Sequence, residues 1–331
     1  MKRSKLSLVC MVAVLLALLM ITPSQADVLK IRLGTHVSLY YYTFFMERPD
    51  LLKHYGKTYQ IEWYVFSGGG EAMPALAANK VDGTFLSPFP FANAITKAKL
   101  DLTGVHQVVS MGEEGYYSDT WVVRSDSGIN GPKDLKGKII GVNAIGSTSE
   151  MGVRILMKKQ GYEAGKDYTI VEGKPPYLPS MVLDKKIDCA VIFQPFYSSA
   201  HMKGGIKDIA NDVDIYGSSE DYLFVVFRTD FLKKNAQAIR DYLEDYLQIM
   251  KWARSNRSEA AQIYAKKWKM DEALVQSFFL TKKDYYSRPN GRIIPSKIQI
   301  VVDTLYENGF LKEKFDVAPH IDNSYLPKWT E

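Results

Sequence analysis

Apolar and polar side chains alternate from residue 28 to residue 34, the period-two pattern of a half-buried strand. Residues 59–66 read as a second strand, and short apolar runs at 83–86, 103–110, 139–142 and 169–172 predict further strands. Helical segments stand between them: 44–55, interrupted at Pro49; 71–79; 91–99; and a helix ending near Gln160, where Gly161 stops it. Strand alternating with helix favours a parallel sheet covered by helices. Two more strands complicate that picture. Residues 120–124 leave the first group, and 222–228 are placed to return to it. A long amphipathic helix over 235–254 and a largely helical tail complete the chain.

Within this pattern one unit occurs twice, about 106 positions apart. Residues 74–89 and 181–196 each read as a helix end, a polar turn, an apolar residue plus Asp, a short apolar strand, and a loop carrying Pro and Phe. The apolar–Asp pairs are Val81 with Asp82 and Ile187 with Asp188. A repeated unit implies two similar lobes, each with a loop at the carboxyl end of a strand, where open α/β sheets bind ligands. Crossings near 120–128 and 218–224 make lobe one discontinuous, residues 27–123 and 223–331, and lobe two residues 124–222. Two linking segments form a hinge about which the lobes close.

Residues 1–26 carry a leader. Lys2, Arg3 and Lys5 precede an apolar run from 6 to 21, and Ser24-Gln25-Ala26 is a small-residue cleavage site, so the exported chain starts at Asp27. The run is shorter than the roughly 20 residues that span a bilayer. Removing the three basic residues of the leader from 42 leaves 39 against 37 acidic ones, a formal charge of +2. That near-neutral balance gives no footprint for nucleic acid. Cys189 is the one cysteine outside the leader; it has no disulfide partner and reads as a core thiol in a strand.

The candidate chemistry lies in loops that follow strands. Ser67-Gly68-Gly69-Gly70 permits close backbone approach, and Glu71 opens the next helix. Ser147, Thr148 and Ser149 follow Gly146 at another helix start. Such starts cradle an anion through free N–H groups, or are ordinary N-caps; the residues alone fit both. Glu71 is either a first-turn carboxylate or a partner for an amine on the ligand. Aromatic side chains crowd the same loops: Tyr40, Tyr41, Tyr42, Phe89, Phe91, Tyr116, Tyr117, Trp121, Tyr177, Phe196 and Tyr197. Aromatic faces with a few polar anchors suit a small-molecule pocket. No Walker or dinucleotide-binding spacing, nucleophile elbow or metal-ligand spacing appears, so no cofactor and no enzymatic activity are expected.

Taken in order, these segments resemble the substrate-binding proteins of ABC importers, in the group that binds nitrate, taurine, aliphatic sulfonates and thiamine-precursor pyrimidines. The resemblance rests on the leader, on residues 75–82, and on 134–138 followed by 139–142. It is carried further by the Gly146 helix start, by 186–188 leading to Gln194-Pro195-Phe196, and by 227–231 before the long helix. It implies a two-lobed type II periplasmic-binding-protein fold, α/β throughout, each lobe a mostly parallel sheet flanked by helices, with a two-strand hinge. It also implies a periplasmic monomer that hands a small-molecule solute to the permease subunits of an ABC importer. By position, the contacts are His36, Tyr40 and Tyr41; Ser67, Gly68, Gly69 and Gly70; Ser87, Pro88 and Phe89; Ser147, Thr148 and Ser149; and Gln194 with Phe196. Asn79 stands where the group carries Gly. The glycine run and the aromatic loops favour a pyrimidine-like or aromatic ligand over nitrate, with a sulfonate or carboxylate also open. A pyrimidine-precursor synthase on this fold and a ligand-sensing partner of a membrane receptor are the alternatives.

Overall fold

The structure, a computed structural model, describes residues 28–36, 41–66 and 68–328; the leader lies outside them. Ten strands are present among the described residues: β1 (Leu29–His36), β2 (Tyr59–Phe66), β3 (Gly83–Leu86), β4 (Leu102–Met111), β5 (Thr120–Arg124), β6 (Ile139–Val142), β7 (Thr169–Glu172), β8 (Cys189–Ile192), β9 (Ile206–Asn211) and β10 (Glu220–Arg228). They form two five-stranded sheets, ordered β2-β1-β3-β10-β4 and β7-β6-β8-β5-β9. In the first, β1 is parallel to β2 and β3, while β10 is antiparallel to β3 and β4. In the second, β6 is parallel to β7 and β8, while β5 is antiparallel to β8 and β9. The sheets therefore share one order. Each is mostly parallel, and its one antiparallel strand is the strand that has crossed from the other half of the chain.

Pairing moves the lobe boundaries inferred from the sequence. Thr120 pairs with Ile192 and Asn211, and Glu220 pairs with Met111. A boundary at 123 cuts β5, which lies wholly in the second sheet, and a boundary at 222 cuts β10, which lies wholly in the first. The crossings run through 112–119 and 212–219. Hydrogen bonds to neighbours, not chain order, decide where a crossing strand belongs.

Helices flank both sheets: α1 (Tyr41–Glu47), α2 (Gly69–Ala77), α3 (Pro88–Thr96), α4 (Thr148–Lys159), α5 (Leu178–Leu183), α6 (Phe196–Lys203), α7 (Asp212–Tyr216), α8 (Thr229–Lys234), α9 (Ala236–Ser255), α10 (Arg257–Trp268), α11 (Glu272–Phe278) and α12 (Pro295–Glu307). The apolar stripe of α9 puts Tyr242, Leu243, Tyr246 and Leu247 into the core under the first sheet. Full burial of each such side chain is worth about 1.5–3 kcal/mol. A second cluster joins the lobes: Phe224 and Val226 of β10 pack in it with Trp121 and Val123 of β5 and Val301 of α12.

The repeated unit folds the same way twice. Asn79 and Lys185 each take the left-handed conformation, at φ 56° and 62°. At the first, Lys80 N–H reaches back to Ala75 O; at the second, Lys186 N–H reaches Met181 O, each at 2.9 Å. This is the six-to-one bond that ends a helix on a left-handed residue. Asn tolerates that conformation without glycine, which accounts for Asn79 in the turn. The Asp that follows then locks a strand edge. Asp82 N–H donates to Arg32 O at 2.7 Å and its carboxylate accepts from Arg32 N–H at 2.9 Å. Asp188 does the same with Ile139, both at 2.9 Å. The two aspartates hold strands, each in its own lobe, and do not form a carboxylate pair. Cys189 is buried in β8, and burial pushes its thiol pKa well up, as expected of a core thiol.

Candidate functional site

Three helices begin against one another at the carboxyl ends of β2, β3 and β6. The start of α2 follows β2, with Gly68 as its N-cap; α3 follows β3, with Ser87 as its N-cap; α4 follows β6, with Ser147 as its N-cap. None of Gly68, Gly69 and Gly70 has positive φ, so the glycines serve close approach rather than a left-handed turn. A Cβ on Gly69 falls 2.5 Å from Pro90 Cγ. A Cβ on Gly68 meets Ala144 and Asn143 at 3.6 Å, and one on Gly70 meets Ile145 O at 3.2 Å. The first lobe's glycine run thus sits against the loop that precedes α4 in the second lobe.

Side chains tie the lobes at the same place. Thr148 Oγ1 donates to Ser87 Oγ at 2.9 Å and accepts from Phe89 N–H at 3.1 Å. Ser149 Oγ and Tyr222 OH are 2.9 Å apart. Ser147 Oγ accepts from Glu150 N–H at 3.1 Å, which makes it a true N-cap. Glu150 in turn pairs with Arg154 at 2.7 Å and accepts from Gly146 N–H at 2.7 Å.

Between the lobes lies a cavity of about 80 Å³. A single water takes about 10–15 Å³ on the same measure, so the space suits a compact solute. His36, Gly68, Gly69, Ser87, Ser147 and Ser149 line it, together with Asn143, Asp119, Tyr222 and Tyr285. Val109, Met111, Leu223, Pro175 and Phe193 supply its apolar wall. Among the described residues, no Lys or Arg lines it. Positive potential comes instead from the helix starts, where the first N–H groups lack intrahelical acceptors. His36 Nε2 donates to Phe85 O at 3.1 Å, and desolvation of the ring holds its pKa below the usual histidine value. The ring is neutral near pH 7, with Nδ1 as an acceptor.

The remaining candidates from the sequence stand elsewhere. Tyr40 and Ser67 lie outside the described residues, as does the side chain of Tyr41. Thr148 supports the cavity from behind, through Ser87 and Phe89, and Gly70 packs on Ile145. Pro88 is buried at the first position of α3, and Phe89 packs on the shared core. Glu71 is exposed in the first turn of α2 and acts on His36 electrostatically. Trp121 is buried at 1% exposure in the core cluster: both faces of β5 are covered, and its ring points into the wrong one for a ligand. Tyr177 is 62% exposed, on the solvent side of its turn. Gln194 holds the loop after β8, its Nε2 donating to Lys283 O at 2.7 Å, and Phe196 faces Phe193 at 6.0 Å between ring centroids. The aromatic wall is thus Phe193, Tyr222 and Tyr285 rather than the loop aromatics.

Asp119 and Tyr285 come from parts of the chain with no recognisable motif. Tyr285 OH donates to Asp119 Oδ1 at 2.6 Å and accepts from Gln194 N–H at 3.3 Å. Asp119 is 2% exposed, and burial raises its pKa to about 7 against the opposing pull of the tyrosine bond.

The profile of the NMT1-like family matches residues 24–267. The chain belongs to the NMT1-like family. Among curated relatives of this family member is a Bacillus subtilis protein named for the binding of aliphatic sulfonates, 24% identical over 274 residues, 82% of this chain and 79% of that protein. An Escherichia coli protein of the same name is 23% identical over 269 residues, 79% of each chain. The fold matches that of the alkanesulfonate-binding protein SsuA from Xanthomonas axonopodis pv. citri bound to MOPS, at TM-score 0.72 and 20% identity over 89% of this chain and 99% of that one. It also matches the periplasmic nitrate-binding protein NrtA from Synechocystis PCC 6803, at TM-score 0.68 and 14% identity over 90% and 87% of the two chains. The two-lobed fold of periplasmic binding proteins is therefore the fold of this family member.

Proposed function

We propose that this protein is an extracytoplasmic solute receptor that closes its two lobes on a small organic solute with an anionic head, of the sulfonate or carboxylate class, and delivers it to the permease subunits of an ABC importer. One observation carries the reading: helix starts from both lobes, α2 from one and α4 from the other, meet at a single cavity that no Lys or Arg lines among the described residues. An anion placed there meets the start of α2 at Gly69 from one side and the start of α4 at Ser149 from the other, and so favours the closed form. The names of the curated relatives and of SsuA agree with a sulfonate head.

The compact cavity weighs against an aromatic solute of more than one ring, while a single pyrimidine ring and a short alkanesulfonate are of similar size and the helix starts favour the anion. A synthase on this fold is supported less well. Among the described residues the His36 ring at the cavity is committed to Phe85 O, and the Cys189 thiol is buried elsewhere. Export by the leader, a periplasmic setting and action as a monomer complete the proposal.

Thermal unfolding against a panel of alkanesulfonates, short carboxylates, nitrate and pyrimidines tests it. A solute at 100 times its dissociation constant adds about 2.7 kcal/mol. Stabilisation by the organic anions is expected. Stabilisation by pyrimidines alone, or turnover of any bound compound, overturns the reading.

A further inference from the structure

The space read as an anion site also holds an acid. Asp119 ends the first crossing segment, is 2% exposed and lines the cavity beside Tyr222 and Tyr285. Its Oδ1 accepts from the Tyr285 hydroxyl at 2.6 Å, and among the described residues it has no cationic partner. Behind it stand Asp212 of α7 and Glu220 of β10, on both of which it acts electrostatically. Both Glu220 oxygens and Asp212 Oδ2 are buried and lack a hydrogen-bond partner. The neighbouring Asp221 differs: Arg288 of the tail pairs with it at 2.7 Å, and Ser110 and Ile294 also donate to it. The crossings therefore give one carboxylate a cation and leave three without one, and Asp119, one of the three, faces the place where an anion is to bind.

We propose that Asp119 is the charge-balancing residue of this site: when an anion binds, its carboxylate takes up a proton from solvent, so that the anion and one proton are captured together. The proposal rests on the receptor reading and adds its regulation by pH. An ionised Asp119 and a bound anion are two negative charges in one enclosed space. The starts of α2 and α4 offset them with only about half an elementary charge each. A buried charge left unpaired gives way by neutralising, and like charges that share a site push a carboxyl pKa up. Burial alone already brings Asp119 to about 7, so the step up on binding falls within reach of ordinary pH. Protonated, Asp119 exchanges its charge for an O–H donor and still accepts from Tyr285. The groups around it do not take its place. Tyr117, Tyr222 and Tyr285 are neutral, their pKa values raised by burial, and Asp212 and Glu220 are lifted further than Asp119. Arg288 is taken by Asp221. His36, also at the cavity, is held by desolvation below the ordinary histidine value, so it titrates below Asp119.

Calorimetric titration of the purified protein with ethanesulfonate at pH 6, pH 7 and pH 8 tests it. The charge of this ligand is fixed across the range, so a pH dependence belongs to the protein. Affinity is expected to be about tenfold weaker at pH 8 than at pH 6, by the reciprocity of proton and ligand binding. At pH 6 the proton is already on Asp119, and at pH 8 binding has to draw it there. Asp119→Asn, neutral at every pH, should flatten the profile and bind at pH 8 about as tightly as the wild type at pH 6. Should this variant not fold, the wild type titrated near pH 7.5 in two buffers of different ionisation enthalpy gives a second readout. Uptake of more than about half a proton per ligand bound is expected there. A flat wild-type profile, tighter binding at pH 8, no proton uptake, or a slope that survives Asp119→Asn overturns the inference and leaves the anion receptor standing. Failure of ethanesulfonate to bind at all three pH values overturns the receptor reading and this inference with it.

Discussion

The Thr148 hydroxyl donates to the Ser87 hydroxyl at 2.9 Å, and these two residues open helices on opposite lobes. The bond needs the two lobes together, so on the proposed function it belongs to the closed form. Thr148→Val keeps the shape and removes the donor to Ser87 and the acceptor for Phe89 N–H. A hydrogen bond of this kind contributes about 0.5–1.5 kcal/mol. Ligand affinity, read by calorimetry, is expected to fall roughly three- to tenfold. Unchanged affinity means that closure does not depend on this contact.

Asp82 and Asp188 occupy matching places in the repeat, yet the structure predicts unequal consequences of replacing them. Asp82 is 3% exposed at its side chain and pairs with Arg32 at 2.5 Å and Arg228 at 3.3 Å. Asp188 is 34% exposed and meets Lys138 only at 3.7 Å. Breaking a buried pair costs about 3–5 kcal/mol, less where the arginines reach solvent as here. Asp82→Asn is expected to lower the urea-unfolding free energy by about 2–3 kcal/mol, and Asp188→Asn by under about 1 kcal/mol. Equal losses contradict the account.

Gly83 sits where β3 passes β10. A Cβ there lies 2.4 Å from Phe227 Cδ1 and 2.7 Å from Val226 O, which is backbone and cannot turn aside. Gly83→Ala should destabilise by about 1–3 kcal/mol through overpacking. Urea unfolding checks it, and a neutral result means that the strands can part without cost.

The carboxylates at the crossings set a pH dependence. Burial raises Asp119 to about 7 and lifts Asp212 and Glu220 well above the carboxylate range. A carboxyl with a raised folded pKa holds its proton more tightly in the folded state. Its cost is absent below the unfolded value of about 3.9 and grows as pH rises through the folded pKa. Without ligand, the melting midpoint is expected to fall between pH 5 and pH 8. Asp119→Asn should raise the midpoint more at pH 8 than at pH 5. A midpoint that climbs across this window contradicts the assignment.

Much of this was written in the sequence where local chemistry decides. The repeat of Asn79 to Asp82 in Lys185 to Asp188 marks two like turns, because a left-handed residue followed by a strand-locking Asp is a local device. The glycine run and the hydroxyl residues at 147–149 mark helix starts for the same reason. Long-range facts were not legible. Nothing in residues 120–124 says that they run antiparallel, and four buried positions in a row do not say which face Trp121 takes. Asp119 and Tyr285 stand 166 positions apart and meet only through the folded tail. The edge strand β9, whose Lys207 and Asp208 interrupt its apolar pattern, also passed unseen in the sequence.

The central claim is that an organic anion binds at the helix starts of both lobes. Backbone amide chemical shifts during titration with ethanesulfonate test it most directly. Saturable shifts of the Gly69 and Ser149 amides along one binding curve are expected. Saturable binding that leaves both amides in place, or that moves the one of one lobe alone, contradicts the claim.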